Sequence, residues 1–219
     1  MSYRAKVPKP TVKRLSLYLR ELEHRVEQKQ PTISSRQLGD ALGLTDAQVR
    51  KDLAYFGQFG HPGIGYDVTN LVDRLRKILG TDRTWNTALI GAGNLGRALM
   101  AYGGWQQRGF DIVAVFDQNP DLVGQWLENH RIRPMSDLAM LVKERDIRLA
   151  MIAVPADRAQ EVADRLIAAG VRGILNFAPR RLDVHQAVSI SSVDLALSLE
   201  QLAFQVSLGL LGSLDEDDD

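Results

Sequence analysis

Ala88-Leu89-Ile90-Gly91-Ala92-Gly93-Asn94-Leu95-Gly96 is the stretch on which the reading of this chain turns. Ala88 to Ile90 has the character of a buried strand end, and Arg97 to Tyr102 continues helically after the glycines. A second apolar run, Ile112 to Phe116, then ends on Asp117. Strand, glycine turn, helix, strand and terminal carboxylate are in the order that a dinucleotide site needs. Gly91 permits the tight turn, Gly93 leaves room for a pyrophosphate against the backbone, and Gly96 lets the helix lie close on its strand. Ala92, Asn94 and Leu95 complete the turn, whose free N–H groups and helix dipole face the phosphates. Asp117 is placed to accept hydrogen bonds from both ribose hydroxyls, and its charge opposes a 2′-phosphate. The pattern therefore predicts NAD(H), as NADH or NAD+, over NADP(H).

The chain has 219 residues, 45% hydrophobic and 25% charged, with no cysteine. That composition suits one large or two small globular domains and excludes disulfides, thiol nucleophiles and thiolate metal sites. No apolar signal core or spanning run is visible, so a cytoplasmic location with no membrane partner is expected. The net charge of zero conceals a division. Residues 1–80 carry 14 Lys and Arg against 8 Asp and Glu, whereas residues 81–219 carry 13 against 19. A basic first module beside an acidic remainder points to a polyanionic partner for the first, or to chance clustering.

Thr11 to Gln28 reads as a helix, with Val12, Leu15, Leu19, Leu22 and Val26 at helical spacing and Arg20 among its charges. Ser34 or Ser35 caps a second helix that breaks at Gly43, and Thr45 caps a third running to Tyr55. This is a helix-turn-helix pattern with Val49 and Leu53 inward. Gln48, Arg50, Lys51 and Tyr55 are its candidate DNA-binding residues, because a recognition helix sets such side chains in the major groove. A small helical packing module with a basic face is the alternative. Tyr55 to Tyr66 holds glycines at 57, 60, 63 and 65, which forbid a helix and predict a β-hairpin, the wing of a winged-helix domain, with His61 near its tip. Asn70 to Leu79 forms a last helix closed by Gly80, where the domain boundary is set.

Beyond it, strands and helices alternate: Leu149 to Val154, Asp157 to Ala169, Ile174 to Phe177 and Val188 to Val193. Alternation predicts a doubly wound parallel sheet, with ligands beyond the carboxyl ends of its strands. Pro155, Asn176 and Phe177 then either wall a nicotinamide pocket or form ordinary strand-end loops. Leu195 to Leu210 is apolar on nearly all sides, which implies burial, in another subunit if not in its own. The tail to Asp219 is acidic and read as disordered. No catalytic acid or base is evident: His24, His61, His130 and His185 lack a partner at metal-ligand spacing, and Tyr102 forms no Tyr-x-x-x-Lys pair. A dinucleotide unit with no proton-transfer group, fused to a basic helical module, reads as a sensor.

Val49-Arg-Lys-Asp-Leu-Ala-Tyr-Phe-Gly-Gln-Phe-Gly60 with Gly63-Ile-Gly-Tyr66 resembles the Rex family of redox-sensing transcriptional repressors. Gly91 to Leu99, Phe116-Asp117, Val154-Pro155, Gly173 to Pro179 and Val193-Asp194-Leu195 are similar to it in the same order. The resemblance implies an α/β chain of four parts. These are an N-terminal winged-helix domain (1–80), a doubly wound Rossmann-like domain (81–194), a C-terminal helix swapped between the subunits of a homodimer (195–212) and an acidic tail (213–219). It implies a repressor that holds operator double-stranded DNA when free or NAD+-bound and releases it on binding NADH. It also implies a switch in which Tyr102 bonds Asp194 of the other subunit in the NADH form, while Asp194 pairs with Arg20 in the DNA-competent form. Two positions depart from the pattern. His61-Pro62 stands where the wing often carries a basic residue, and Leu195 where some relatives have phenylalanine over the nicotinamide. An NAD-dependent oxidoreductase with a helical accessory domain, and a regulator binding CoA or another nucleotide, are the alternatives.

Overall fold

The computed structural model describes residues 7–60, 64–184 and 188–212, with side chains as far as 208. The chain divides into two compact units, Met1–Thr84 and Trp85–Asp219.

The first unit is helical. Helix α1 (Lys9–Glu27) is followed by β1 (Thr32–Ile33), α2 (Ser35–Leu42), α3 (Asp46–Ala54), β2 (Tyr66–Asp67) and α4 (Val68–Leu79). Local chemistry sets each boundary. Ser34 caps α2 in a reciprocal box with Gln37, and Thr45 caps α3 by accepting from the Gln48 amide. Gly43 and Gly80 end α2 and α4 with φ of 66° and 72°, where any other residue would be strained. Leu15, Leu22, Leu38, Val49, Leu53 and Leu75 bury the facing sides of all four helices in one core.

The expected wing is described only on either side of residues 61–63, where Gly60 lies against Gly65 and Tyr66. Residues 57–60 form no strand, and β2 pairs antiparallel with β1, Thr32 opposite Asp67 and Ile33 opposite Tyr66. Gly65 makes that ladder possible: it has φ of 90°, and a Cβ there would lie 2.6 Å from the Ile33 carbonyl oxygen. Arg74 of α4 stacks 4.1 Å above the Phe59 ring and donates to the Gln58 carbonyl, so the chain entering the wing is tied to α4. His61, at the expected wing tip, lies outside the described residues.

The second unit is built on a sheet of β3 (Trp85–Ile90), β4 (Phe110–Asp117), β5 (Trp126–Leu127), β6 (His130–Pro134), β7 (Leu149–Ile152), β8 (Gly173–Asn176) and β9 (Ser189–Ser192). The strand order is β5-β6-β4-β3-β7-β8-β9, parallel except for the β5–β6 hairpin. The chain winds outward from β3 through β4 to β6, then crosses back to β7 and winds the other way. The reversal opens a crevice beyond the carboxyl ends of β3 and β7. Helices α7 (Leu138–Glu144) and α8 (Ala156–Ala169) cover one face, and α5 (Asn94–Ala101) with α6 (Gly104–Gln107) packs on the other. On that second face an apolar groove of about 420 Å³ lies open beside Trp105, Leu149, Met151 and Leu175. The last helix, α9 (Leu195–Gly212), is apolar and exposed: Leu199, Leu202 and Phe204 each keep more than half of their surface. No described helix is long and apolar enough to cross a membrane.

Candidate functional site

The crevice at the reversal is formed by the residues that the glycine pattern singles out. Gly91 sits between β3 and α5 with φ of 102°, and a Cβ on it would be 2.4 Å from the Ala153 carbonyl oxygen at the end of β7. Gly96 lies against the turn itself, since its Cβ would be 1.9 Å from the Gly91 carbonyl oxygen. Gly93 is different: it is exposed, caps α5, and has nothing within 4 Å of a Cβ position. Gly91 and Gly96 are demanded by the fold, whereas the space in front of Gly93 is open. Ala92 is buried, while Asn94 and Leu95 are exposed at the start of α5, where unpaired N–H groups favour an anion.

Asp117 ends β4 beside this turn. Its Oδ2 accepts from the Ala92 N–H at 2.7 Å and its Oδ1 from the Asn119 N–H at 2.8 Å. Two backbone donors hold the carboxylate in one orientation and leave a lone pair on each oxygen for a diol. A cavity of about 180 Å³ joins Gly91, Gly93, Asp117, Asn119, Val154 and Pro155. Pro155 therefore lines the same cleft as the glycines.

Asn176 and Phe177 lie on the neighbouring strand end. Phe177 is half-buried at the edge of the core that contains Leu89, Val115 and Met151. Asn176 is fully buried: its Nδ2 donates to the Ala178 and Arg180 carbonyls, and its Oδ1 accepts from the Ala178 N–H. All its strong hydrogen bonds are spent on shaping the loop after β8. Its contribution to the cleft is thus the course of residues 177–180 rather than a free amide.

Tyr102 falls elsewhere. It ends α5, is half exposed, and meets Trp105 edge-on at 5.0 Å between ring centroids. With Trp105, Asp111 and His130 it lines a separate cavity of about 310 Å³. Asp194 caps α9, accepting from the Leu197 N–H at 3.0 Å. No hydrogen bond joins Tyr102 to Asp194 among the described residues of one chain. Arg20 is exposed on α1.

In the first unit, α3 presents Arg50, Lys51 and Tyr55 to solvent. Arg50 is held by Asp46 at 2.6 Å and by the Ser35 hydroxyl at 3.1 Å, and the Arg50 hydrogen bond keeps the Asp46 carboxyl below its ordinary range. Gln48 turns the other way, its Nε2 donating to Asp52 Oδ1 at 2.8 Å. Asp52 is the residue that the sequence reading overlooked. It has no exposed surface and accepts from Arg14 Nε at 2.5 Å, Arg14 Nη2 at 2.7 Å, Tyr18 Oη at 2.8 Å and Thr11 Oγ1 at 3.2 Å. Burial pushes its pKa up, but the hydrogen bonds from Arg14, Tyr18 and Gln48 outweigh that and hold it below the ordinary carboxylate value. The signal was present: Asp52 falls between Val49 and Leu53 on the inward face of its helix, where an unpaired charge could not stay.

A helix-turn-helix unit followed by a parallel sheet, with a glycine turn and a strand-end carboxylate at its reversal point, defines a DNA-binding regulator that carries a nucleotide-binding domain. Residues 6–54 match the family model described as the putative DNA-binding protein N-terminus, and residues 82–180 match the CoA binding domain. The chain is 48% identical to the redox-sensing transcriptional repressor Rex of Carboxydothermus hydrogenoformans over 92% of this chain and 97% of that one. It is 42% identical to Rex of Streptomyces coelicolor over 90% of this chain and 77% of that one. The crystal structure of RSP in complex with beta-NAD+ and operator DNA superimposes with a TM-score of 0.90 at 35% identity, over 99% of this chain and 100% of that one. RSP in complex with beta-NADH gives 0.86 at the same identity, over 96% of this chain and 99% of that one. The chain belongs to the Rex family of redox-sensing transcriptional repressors.

Proposed function

We propose that this protein is a transcriptional repressor that reads the NADH/NAD+ ratio, bound to operator DNA when free or carrying NAD+ and released by NADH. The observation that carries this reading is Asp117, fixed by two backbone N–H groups at the mouth of the glycine turn, in a chain whose other unit presents Arg50 and Lys51 on α3. Relatives named as repressors support a sensor rather than an enzyme, acting on DNA in the cytoplasm. Residues 1–80 serve as the DNA-binding domain and 81–194 as the cofactor domain. Asp194, already the cap of α9, exchanges between Arg20 and the partner subunit's Tyr102, so that the ligand biases a two-state element. Labelled operator DNA followed by fluorescence anisotropy at fixed salt tests this. NADH in the micromolar range is expected to release the DNA while equal NAD+ does not. Asp194→Ala is expected still to bind NADH yet keep the DNA, because NADH loses its effect on the switch. Release by both cofactors alike would end the redox reading.

The working form is a homodimer joined through α9. A helix apolar all round is stable in water only when covered, and the open groove beside Leu149, Met151 and Leu175 is apolar in the same way. Phe204→Glu is expected to raise the dimer Kd by at least about 30-fold, roughly 2 kcal/mol, read by sedimentation velocity. An unchanged sedimentation coefficient across the dilution range would place the interface elsewhere.

A further inference from the structure

We propose that Asp52 is a positioning residue for base recognition: it holds the Gln48 amide so that its carbonyl oxygen faces the DNA and reads an exocyclic base amino group. The inference rests on the DNA-binding reading above and adds the chemistry of one contact.

An ionised carboxylate only accepts hydrogen bonds. The 2.8 Å contact to Asp52 therefore fixes which end of the Gln48 amide turns inward: Nε2 points at Asp52, and Oε1 points away. Reversing the amide would set two oxygens against each other at a buried charge. Asp52 cannot move to accommodate it, because Arg14 holds both of its oxygens and Tyr18 and Thr11 donate to one each. The same bonds keep Asp52 ionised. A side chain free to flip in solution is thus set in one orientation before DNA arrives.

Gln48 is the third residue of α3, half exposed, and its Oε1 accepts no hydrogen bond among the described residues. The first residues of the second helix of such a motif are those that reach base edges. In the major groove an acceptor is answered by adenine N6 or cytosine N4, and the second hydrogen on Nε2 remains to meet adenine N7. A guanine O6 or thymine O4 would face an oxygen. Arg50 and Lys51, with donors only, cannot supply this discrimination, so Gln48 and they read complementary features of the same groove.

The test uses the full-length protein and the tightest duplex selected from a randomised DNA pool. Single adenines are replaced by purine, and single cytosines by 2-pyrimidinone, each lacking only the amino group. One position in each half-site is expected at which loss of the amino group weakens wild-type binding about tenfold. At that position Gln48→Ala, and Asp52→Leu if folded by circular dichroism, should show no difference between natural and modified duplexes. The overall salt dependence should be unchanged, which a merely structural loss of the helix would not leave so. Independently of any substitution at Asp52, one of the two Gln48 Nε2 protons, the one bonded to Asp52, should exchange with solvent much more slowly than the other in the wild-type protein. Two Gln48 amide protons that exchange equally fast, an amino-group profile shared by Gln48→Ala and wild type, or a folded Asp52→Leu that keeps the discrimination would each overturn the proposal. If the pool yields no preferred duplex at all, the DNA-binding reading itself falls, and this inference with it.

Discussion

Gly93→Ala is expected to leave the cofactor unit folded while weakening NAD(H) binding by at least about tenfold, equivalent to ~1.4 kcal/mol. Gly93 has nothing within 4 Å of a Cβ position and sits at an exposed helix start, so the methyl group meets nothing until a pyrophosphate approaches. Gly96→Ala should behave in the opposite sense. Its methyl would fall 1.9 Å from the Gly91 carbonyl oxygen, a backbone atom that cannot move without parting α5 from β3. Overpacking of that kind costs about 1–3 kcal/mol or more, and the glycine turn is destroyed with it. Urea unfolding and NADH fluorescence, measured on both variants, separate the two effects. Equal destabilisation by both substitutions would show that Gly93 is also a packing glycine.

Asp52→Ala is expected to destabilise the DNA-binding unit by about 3–5 kcal/mol, because it strands Arg14 and leaves the inward hydroxyl of Tyr18 without its partner. Operator binding should be lost with or without cofactor, while the separate cofactor unit still binds NADH. The same network sets a pH dependence whose sign follows from its direction. Asp52 has a lower pKa folded than unfolded, so its stabilisation is complete above about pH 4 and is lost as pH falls further, through the folded value. Thermal melts between neutral and acidic pH should show the DNA-binding unit weakening in that lower window. Asp52→Asn should have a flatter profile there, and an equally steep one would assign the acid transition to other carboxylates.

Much of this architecture is local, and local features are legible in a sequence. Ser34, Gln37, Gly43, Thr45 and Gly80 mark helix ends because each satisfies, or permits, a backbone arrangement that depends only on its neighbours. Gly91, Gly93, Gly96 and Asp117 mark the cleft at the sheet's reversal for the same reason, since a turn and the strand end beside it recur as a unit. Elements without a period or a long apolar run left no such trace. The ladder of Thr32–Ile33 with Tyr66–Asp67 is two residues long on each side, too short for alternation to register. The β5–β6 hairpin, Trp126 opposite Arg131, was missed likewise.

The amino-acid sequence alone thus marked several helix ends, the alternation of strands and helices after residue 80 and the glycine turn, because hydrophobic period, capping and φ preference act between neighbours along the chain. Tertiary structure alone decided where the polar side chains spend their hydrogen bonds. Asp52 gathers Thr11, Arg14 and Tyr18 from 34 to 41 residues away. It also set Tyr102 in a cavity apart from Asp117, eight residues of helix beyond the glycine turn. A polar group's partner depends on what folding brings within 3 Å of it, and no spacing along the chain encodes that distance.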